Sequence, residues 1–314
     1  MSLGQITITS DGEMLTKLDM ALNRLRLFCP PEGYYVAFSG GKDSQCVYHL
    51  CKMAGVKFDA HYNVTSVDPP ELIRFIRKNY PDVIWDYPRD RDGKVITMWN
   101  LIPRKQMPPT RLARYCCAYF KESSGKGRVT VTGVRWAEST NRAHNQGVAV
   151  FQGKSKSLEK QVQESGMQYK LSKNGGIILN DDNDDARRMV EQCYRTRKTL
   201  VNPIVDWTDE EVWEFLNGGG YEHCELYDKG KKRLGCIGCP MGTCQAQELE
   251  EYPKYKENYL KAFDRMLKNN EARGVKKTWN TAEEVYRWWL RIEDQEPEEE
   301  DENEFSKYWT EDIM

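Results

Sequence analysis

Apolar residues recur along this chain with two different periods, and the alternation between them predicts most of its elements. Met14, Leu15, Leu18, Leu22 and Leu25 stand at helical spacing over residues 14–28, and Cys29-Pro30-Pro31 then stops a helix. An unbroken apolar run over residues 34–38 predicts a buried strand. After a glycine-containing turn, Val47, Leu50 and Cys51 mark a second helix ending near Gly55, and residues 58–64 read as the next strand. Leu72, Phe75 and Ile76 mark a third helix, residues 83–87 a third strand, and residues 129–134 continue the series. Strands alternating with helices predict an α/β fold, a twisted parallel sheet with helices on both faces.

The pattern changes further along. Residues 145–182 are polar apart from Ile177-Ile178-Leu179 and read as an insertion, a flap or hairpin. Thr208 with Glu211 forms a capping-box pattern ahead of Val212, Phe215 and Leu216, and Gly218-Gly219-Gly220 ends that helix. Tyr255, Tyr259, Phe263, Met266 and Leu267 define a long helix; Thr281 with Glu284 opens a last one carrying Val285, Trp288 and Trp289. The expected organisation is an N-terminal helix (1–32), an α/β domain (33–222), a cysteine-rich segment with C-terminal helices (223–292), and an acidic, disordered tail (293–314).

Composition narrows the picture. A chain of 314 residues with 39% hydrophobic content can bury one sizeable core plus an annex. No apolar run approaches the roughly 18–20 residues that span a bilayer, and early charges (Asp11, Glu13, Lys17) replace a signal-peptide core, so a cytosolic location is expected. In a reducing compartment the ten cysteines are free for packing or metal. The net charge of −2 hides an asymmetry: residues 293–314 hold eleven acids and one base, leaving +8 on the rest. That body suits a polyanion, nucleotide or nucleic acid, as well as it suits an ordinary solvated surface.

Ser39-Gly40-Gly41-Lys42-Asp43-Ser44 lies between a predicted strand and helix, where backbone N–H groups and a helix N-terminus converge on an anion. It is not a Walker A loop: Asp43 follows Lys42 where Ser or Thr is required. The loop resembles the Ser-Gly-Gly-x-Asp-Ser signature of the PP-loop superfamily of ATP pyrophosphatases, met in full by Ser39, Gly40, Gly41, Asp43 and Ser44. Three further segments resemble the phosphoadenosine phosphosulfate (PAPS) reductase-like branch: Val67-Asp68-Pro69-Pro70-Glu71, Gly133-Val134-Arg135-x-x-Glu138-Ser139, and Asn202-Pro203-Ile204-x-x-Trp207-Thr208. The resemblance implies an adenine nucleotide α-hydrolase-like fold and binding of ATP with Mg²⁺. A substrate oxygen would attack the α-phosphorus, with Lys42 and Asp43 at the reaction, Arg135 beside them, and Gly133, Arg135 and Arg142 toward the nucleotide. Arg142 could equally form a surface salt bridge. A basic stretch (Arg104, Lys105, Arg111, Arg114, Lys121, Lys126, Arg128, Arg135, Arg142) could guide a nucleic-acid or other anionic acceptor.

Cys236-Ile237-Gly238-Cys239 is a CxxC, flanked by Cys224 and Cys244, and Cys116-Cys117 is an adjacent pair far upstream. Spacing alone allows zinc, a redox dithiol or an iron–sulfur cluster. Cys116, Cys117, Cys236 and Cys239 resemble the [4Fe–4S] ligands of adenylyl-sulfate reductases, whereas Cys224, Cys236, Cys239 and Cys244 resemble the cluster of DNA phosphorothioation sulfurtransferases. Cys29, Cys46, Cys51 and Cys193 read as packing residues. True sulfonucleotide reductases carry a later nucleophilic cysteine, and none follows Cys244. The leading expectation is therefore an ATP-dependent adenylating sulfurtransferase served by a sulfur donor. The alternatives are a sulfonucleotide reductase served by a thioredoxin-like partner, and a nucleotide-sensing, nucleic-acid-binding module.

Overall fold

The computed structural model describes residues 2–8, 14–276 and 278–292. The acidic tail expected at 293–314 lies outside the described residues. The chain divides into two compact units, Met1–Met98 with Arg114–Cys239, and Trp99–Ala113 with Pro240–Met314.

The first unit opens with β1 (Ile6–Ile8) paired antiparallel to β2 (Met14–Thr16), followed by α1 (Lys17–Leu27). Residues 14–16, expected as the first helical turn, are a strand instead. Thr16 accepts the Asp19 N–H, and the Asp19 carboxylate returns to the Thr16 N–H, so this reciprocal cap starts the helix only at Lys17. Next come β3 (Tyr34–Ala37), α2 (Lys42–Ala54), β4 (Phe58–Asn63), α3 (Pro70–Asn79) and β5 (Ile84–Asp86). Gly55, left-handed at φ 69°, ends α2, and Pro70 begins α3 where its missing N–H costs nothing.

The chain leaves this unit through α4 (Met98–Lys105) and returns at Arg114. It then forms α5 (Tyr115–Cys117), which widens into a π-helical turn over Ala118–Glu122, and β6 (Val129–Val131). After α6 (Thr140–Asn145) follow β7 (Ala149–Phe151), α7 (Lys156–Glu164), β8 (Lys170–Leu171), β9 (Ile177–Leu179), α8 (Asp184–Cys193), β10 (Thr199–Val201) and α9 (Asp209–Gly218).

The main sheet has the order β5-β4-β3-β6-β10-β7-β9-β8. From β5 to β10 neighbouring strands are parallel; β7, β9 and β8 then continue it antiparallel. Residues 145–182 thus supply three strands of the sheet. The central parallel strands are the covered ones, β6 and β10 buried at every residue and β3 at all but Ala37, while the outer β4 and β5 are only partly buried; the core includes Val36, Phe38, Leu50, Ile76, Val131, Phe151, Val201 and Trp207. Burying each such large side chain contributes about 1.5–3 kcal/mol. The chain runs outward from β3 through β4 to β5 and then restarts on the other side at β6. That reversal opens a crevice between the C-terminal ends of β3 and β6, where ligands of such sheets bind.

The second unit contains α10 (Gln245–Glu251), α11 (Pro253–Ala272) and α12 (Ala282–Leu290). Tyr259 and Phe263 of α11 pack on Trp289 of α12, with Met266 and Val285 also buried, and the Trp289 Nε1–H donates to the Pro109 carbonyl at 2.7 Å. No described helix is long and apolar enough to cross a membrane.

Candidate functional site

The loop after β3 is held in shape by its own side chains. Gly40 has φ 73°, and a Cβ there would come within 2.7 Å of the Ile76 side chain and 2.8 Å of Leu72, so both conformation and space demand glycine. The Ser44 hydroxyl donates to the Gly41 carbonyl (2.8 Å) and accepts the Ser39 N–H (3.1 Å). Buried Gln45 donates to the Gly40 carbonyl at 3.0 Å and accepts from the Tyr80 hydroxyl at 3.0 Å. Gly41 is the N-cap of α2, and the first turn of that helix opens on the crevice.

Four charged groups converge on the loop. Lys42 is 4% exposed, with Nζ 3.2 Å from Asp209 Oδ1 and 3.6 Å from Asp43 Oδ2. Arg135, only 1% exposed, donates from Nε to Asp43 (2.7 Å), from Nη2 to Asp209 (2.6 Å) and from Nη1 to the Trp207 carbonyl (3.2 Å). Burial pushes the Asp209 carboxyl up, but the Arg135 hydrogen bond and the Lys42 charge outweigh it and leave the group below its usual value. Gly133 makes this convergence possible: a Cβ there would lie 2.7 Å from the Asp43 carbonyl carbon and oxygen. Arg142 pairs with Glu138 one turn before it, and the same Glu138 oxygen accepts the Arg135 N–H at 3.0 Å.

Two residues of this site escaped the sequence reading. Asp209 directly follows Thr208, the helix cap that also ends the Asn202–Thr208 segment, and it is the first residue of α9. Tyr227 comes from 185 positions away to accept the Lys42 N–H at 2.9 Å. No local pattern marks it.

The thiols separate into two groups. Cys116, Cys117, Cys236 and Cys239 are electrostatic neighbours in the first unit. The hydrogen bond to Cys117, burial, and the charges of the other thiols push Cys116 far up. Cys117 moves down, because that bond and the Arg114 guanidinium, 3.5 Å from its sulfur, favour its thiolate. Burial pushes Cys236 up to about 12 against the pull of Lys121, and Lys121 is in turn held above its usual value, chiefly by Cys236. The Val67-Asp68-Pro69-Pro70 segment lies against the CxxC: the Ile237 N–H donates to the Val67 carbonyl at 2.8 Å, and the Asp68 charge, held by the Thr65 hydroxyl at 2.7 Å, adds to the upward push on Cys236. Cys224 is buried, and the charges that shift it most are Glu225, Glu71 and Lys229, not another thiol. Cys244 is exposed at the start of α10 in the second unit. Among the described residues no three His, Cys, Asp or Glu side chains are arranged to hold a single metal ion.

The basic stretch is less uniform than its sequence. Arg104, Lys105 and Arg111 belong to the second unit, while Arg128 pairs with Asp59 at 2.6 Å and Arg135 is buried. An open groove of about 970 Å³, lined by Trp99, Lys261, Asp264, Arg265 and Thr281, belongs to the second unit and contains no loop residue.

Residues 33–242 match the model of the phosphoadenosine phosphosulfate reductase domain. Curated relatives include an uncharacterized protein of Methanocaldococcus jannaschii, 24% identical over 245 residues, covering 73% of this chain and 40% of that protein. Another is the adenosine 5'-phosphosulfate reductase of Oceanobacillus iheyensis, 32% identical over 50 residues, 16% of this chain and 21% of that enzyme. The chain thus spans less than half the length of these relatives. Among solved structures, the PAPS reductase of Candida auris aligns with TM-score 0.41 and 13% identity, over 74% of this chain and 98% of that one. The FMN adenylyltransferase of Candida glabrata aligns with TM-score 0.40 and 15% identity, over 74% and 73%.

Proposed function

The chain belongs to the phosphoadenosine phosphosulfate reductase domain family, whose PP-loop binds nucleotide, and on that premise we propose that it binds ATP and cleaves it between the α- and β-phosphates to adenylate an acceptor. One observation carries this reading: a complete Ser39–Ser44 signature, locked by its own serines, at the N-terminus of α2 with a buried lysine and two carboxylates around it. An acceptor oxygen attacks the α-phosphorus and pyrophosphate leaves into the cradle of α2 amides. Lys42, buried and therefore acting at low dielectric, offsets charge on the leaving group. Arg135 is buried; it holds Asp43 and Asp209 in place, the carboxylates at hand for the Mg²⁺ that accompanies ATP.

A sulfur donor at the sulfide level then bonds to the activated centre of the acceptor, and AMP leaves with the oxygen it had been attached to. Cys116, Cys117, Cys236 and Cys239 fit a [4Fe–4S] cluster in their chemistry: four neighbouring thiols whose mutual charge is relieved by iron. Such a cluster, when bound, supplies thiophilic and one-electron chemistry to the sulfur half. Zinc is the competing occupant. Lys121 and Arg114 place positive charge beside the sulfurs. A nucleic acid or other anionic acceptor suits the basic body.

The measurement is the product pair. AMP and pyrophosphate from ATP, dependent on added acceptor and lost in Lys42→Ala, are expected. Sulfite released from adenylyl sulfate or PAPS with a thioredoxin-like reductant, and no AMP from ATP, would replace this reading with sulfonucleotide reduction, which the adenosine 5'-phosphosulfate reductases among the relatives favour.

A further inference from the structure

The Tyr227 hydroxyl stands where a bound phosphate would meet α2. It accepts the Lys42 N–H at 2.9 Å and lies 3.5 Å from the position a Cβ on Gly41 would occupy, over the two residues that begin the helix. Its place is set by packing and not by chance contact: the ring meets Trp213 edge-on at 5.0 Å and 89°, and the Tyr227 N–H is tied to the Cys224 carbonyl at 3.0 Å. A phenol that accepts one hydrogen bond keeps its proton to donate. Burial and the nearby Asp43 charge hold this phenol above its usual value, so it stays protonated beside an anion.

We infer that Tyr227 is a phosphate-positioning residue: it relays the Lys42 N–H outward and donates its own proton to an oxygen of the departing pyrophosphate. This rests on the assignment of the loop to ATP. A neutral donor linked to a helix N-terminus binds a multiply charged phosphate without adding charge to a site where Lys42 and Arg135 are already matched by Asp43 and Asp209. The contact lies on the pyrophosphate side of the scissile bond. AMP, which lacks that group, is indifferent to it.

The test is calorimetric titration of the full chain with magnesium pyrophosphate and, separately, AMP, comparing wild type with Tyr227→Phe at an unchanged melting temperature. The inference expects pyrophosphate to bind Tyr227→Phe roughly tenfold to a hundredfold more weakly and AMP equally, the loss of one charge-assisted hydrogen bond. Equal pyrophosphate affinity in both proteins overturns it, and so does equal weakening of pyrophosphate and AMP, which would make Tyr227 a scaffold for the loop. Wild type that binds neither ligand refutes the loop assignment itself, a different failure. Should the variant not fold, nitration of wild-type tyrosines with peptide mapping decides: protection of Tyr227 by magnesium pyrophosphate and not by AMP supports the inference, and equal nitration in all three conditions overturns it.

Discussion

The phosphate loop and the thiol group lie in the same unit and are built on opposite electrostatic plans. Around the loop every charge meets its opposite: Lys42 and Arg135 face Asp43 and Asp209, and the serines close the turn. Among the thiols like meets like, so that Cys116 is driven up by its three neighbours while Lys121 and Arg114 provide partial relief. A matched site is rigid before its ligand arrives. A site of like groups becomes stable only when positive charge stands among them.

The largest effect that could break this contrast is spectroscopic. Protein purified anaerobically is expected to show broad absorbance near ~400 nm with bound iron and sulfide, all lost in Cys236→Ala. Colourless protein carrying zinc would make the thiols a closed structural site and remove the sulfur half of the proposed reaction.

Removing Arg135 should be next in size. Arg135→Ala leaves Asp43 and the exposed Asp209 facing each other without the buried guanidinium they share, and unfolding in urea is expected to show a loss of about 1–2 kcal/mol with ATP binding abolished. An unchanged midpoint would mean that the carboxylates are already solvated and the loop is not electrostatically locked.

Gly133→Ala sharpens the same point sterically. Its Cβ would stand 2.7 Å from the Asp43 backbone, and overpacking of this kind costs about 1–3 kcal/mol. A lower melting temperature together with weaker nucleotide binding is expected; a lower melting temperature alone would separate the loop's shape from its stability.

The smallest effect concerns pH. Burial lowers His49 to about 4 from 6.5, its ring stacked at 3.6 Å on Tyr221. Between those values the unfolded chain binds the proton that the folded chain refuses, so this group's contribution to stability is complete above pH 6.5 and declines as pH falls toward 4. His49→Phe keeps the stacking and should flatten the wild-type fall in melting temperature across that window while leaving the thiol spectrum unchanged. An identical slope in both proteins would show that His49 is solvated.

How far the sequence reached can be followed residue by residue. The capping pair Thr208 and Glu211 is present as read, and Gly55 ends α2 as read, because caps and left-handed glycines act over four residues or fewer. The start of α1 was misread: Met14 and Leu15 keep helical spacing, yet the Thr16–Asp19 cap and pairing with β1 hold them as strand. Residues 145–182 looked like a polar insertion, and their strands are too short, two or three residues each, to leave a periodic signature.

By itself the sequence determined the α/β class and the phosphate loop and singled out the CxxC and the adjacent Cys116-Cys117 pair, because each depends on residue type and short spacing. Tertiary structure alone decided that Gly133 must clear Asp43, that Arg135 and Asp209 close around Lys42, that Tyr227 reaches the loop, and that Cys116, Cys117, Cys236 and Cys239 are electrostatic neighbours. These are contacts between residues tens to nearly two hundred positions apart. They exist because sheet order puts β6 beside β3, and strand order is set by burying the whole core at once, a property no short window of sequence contains.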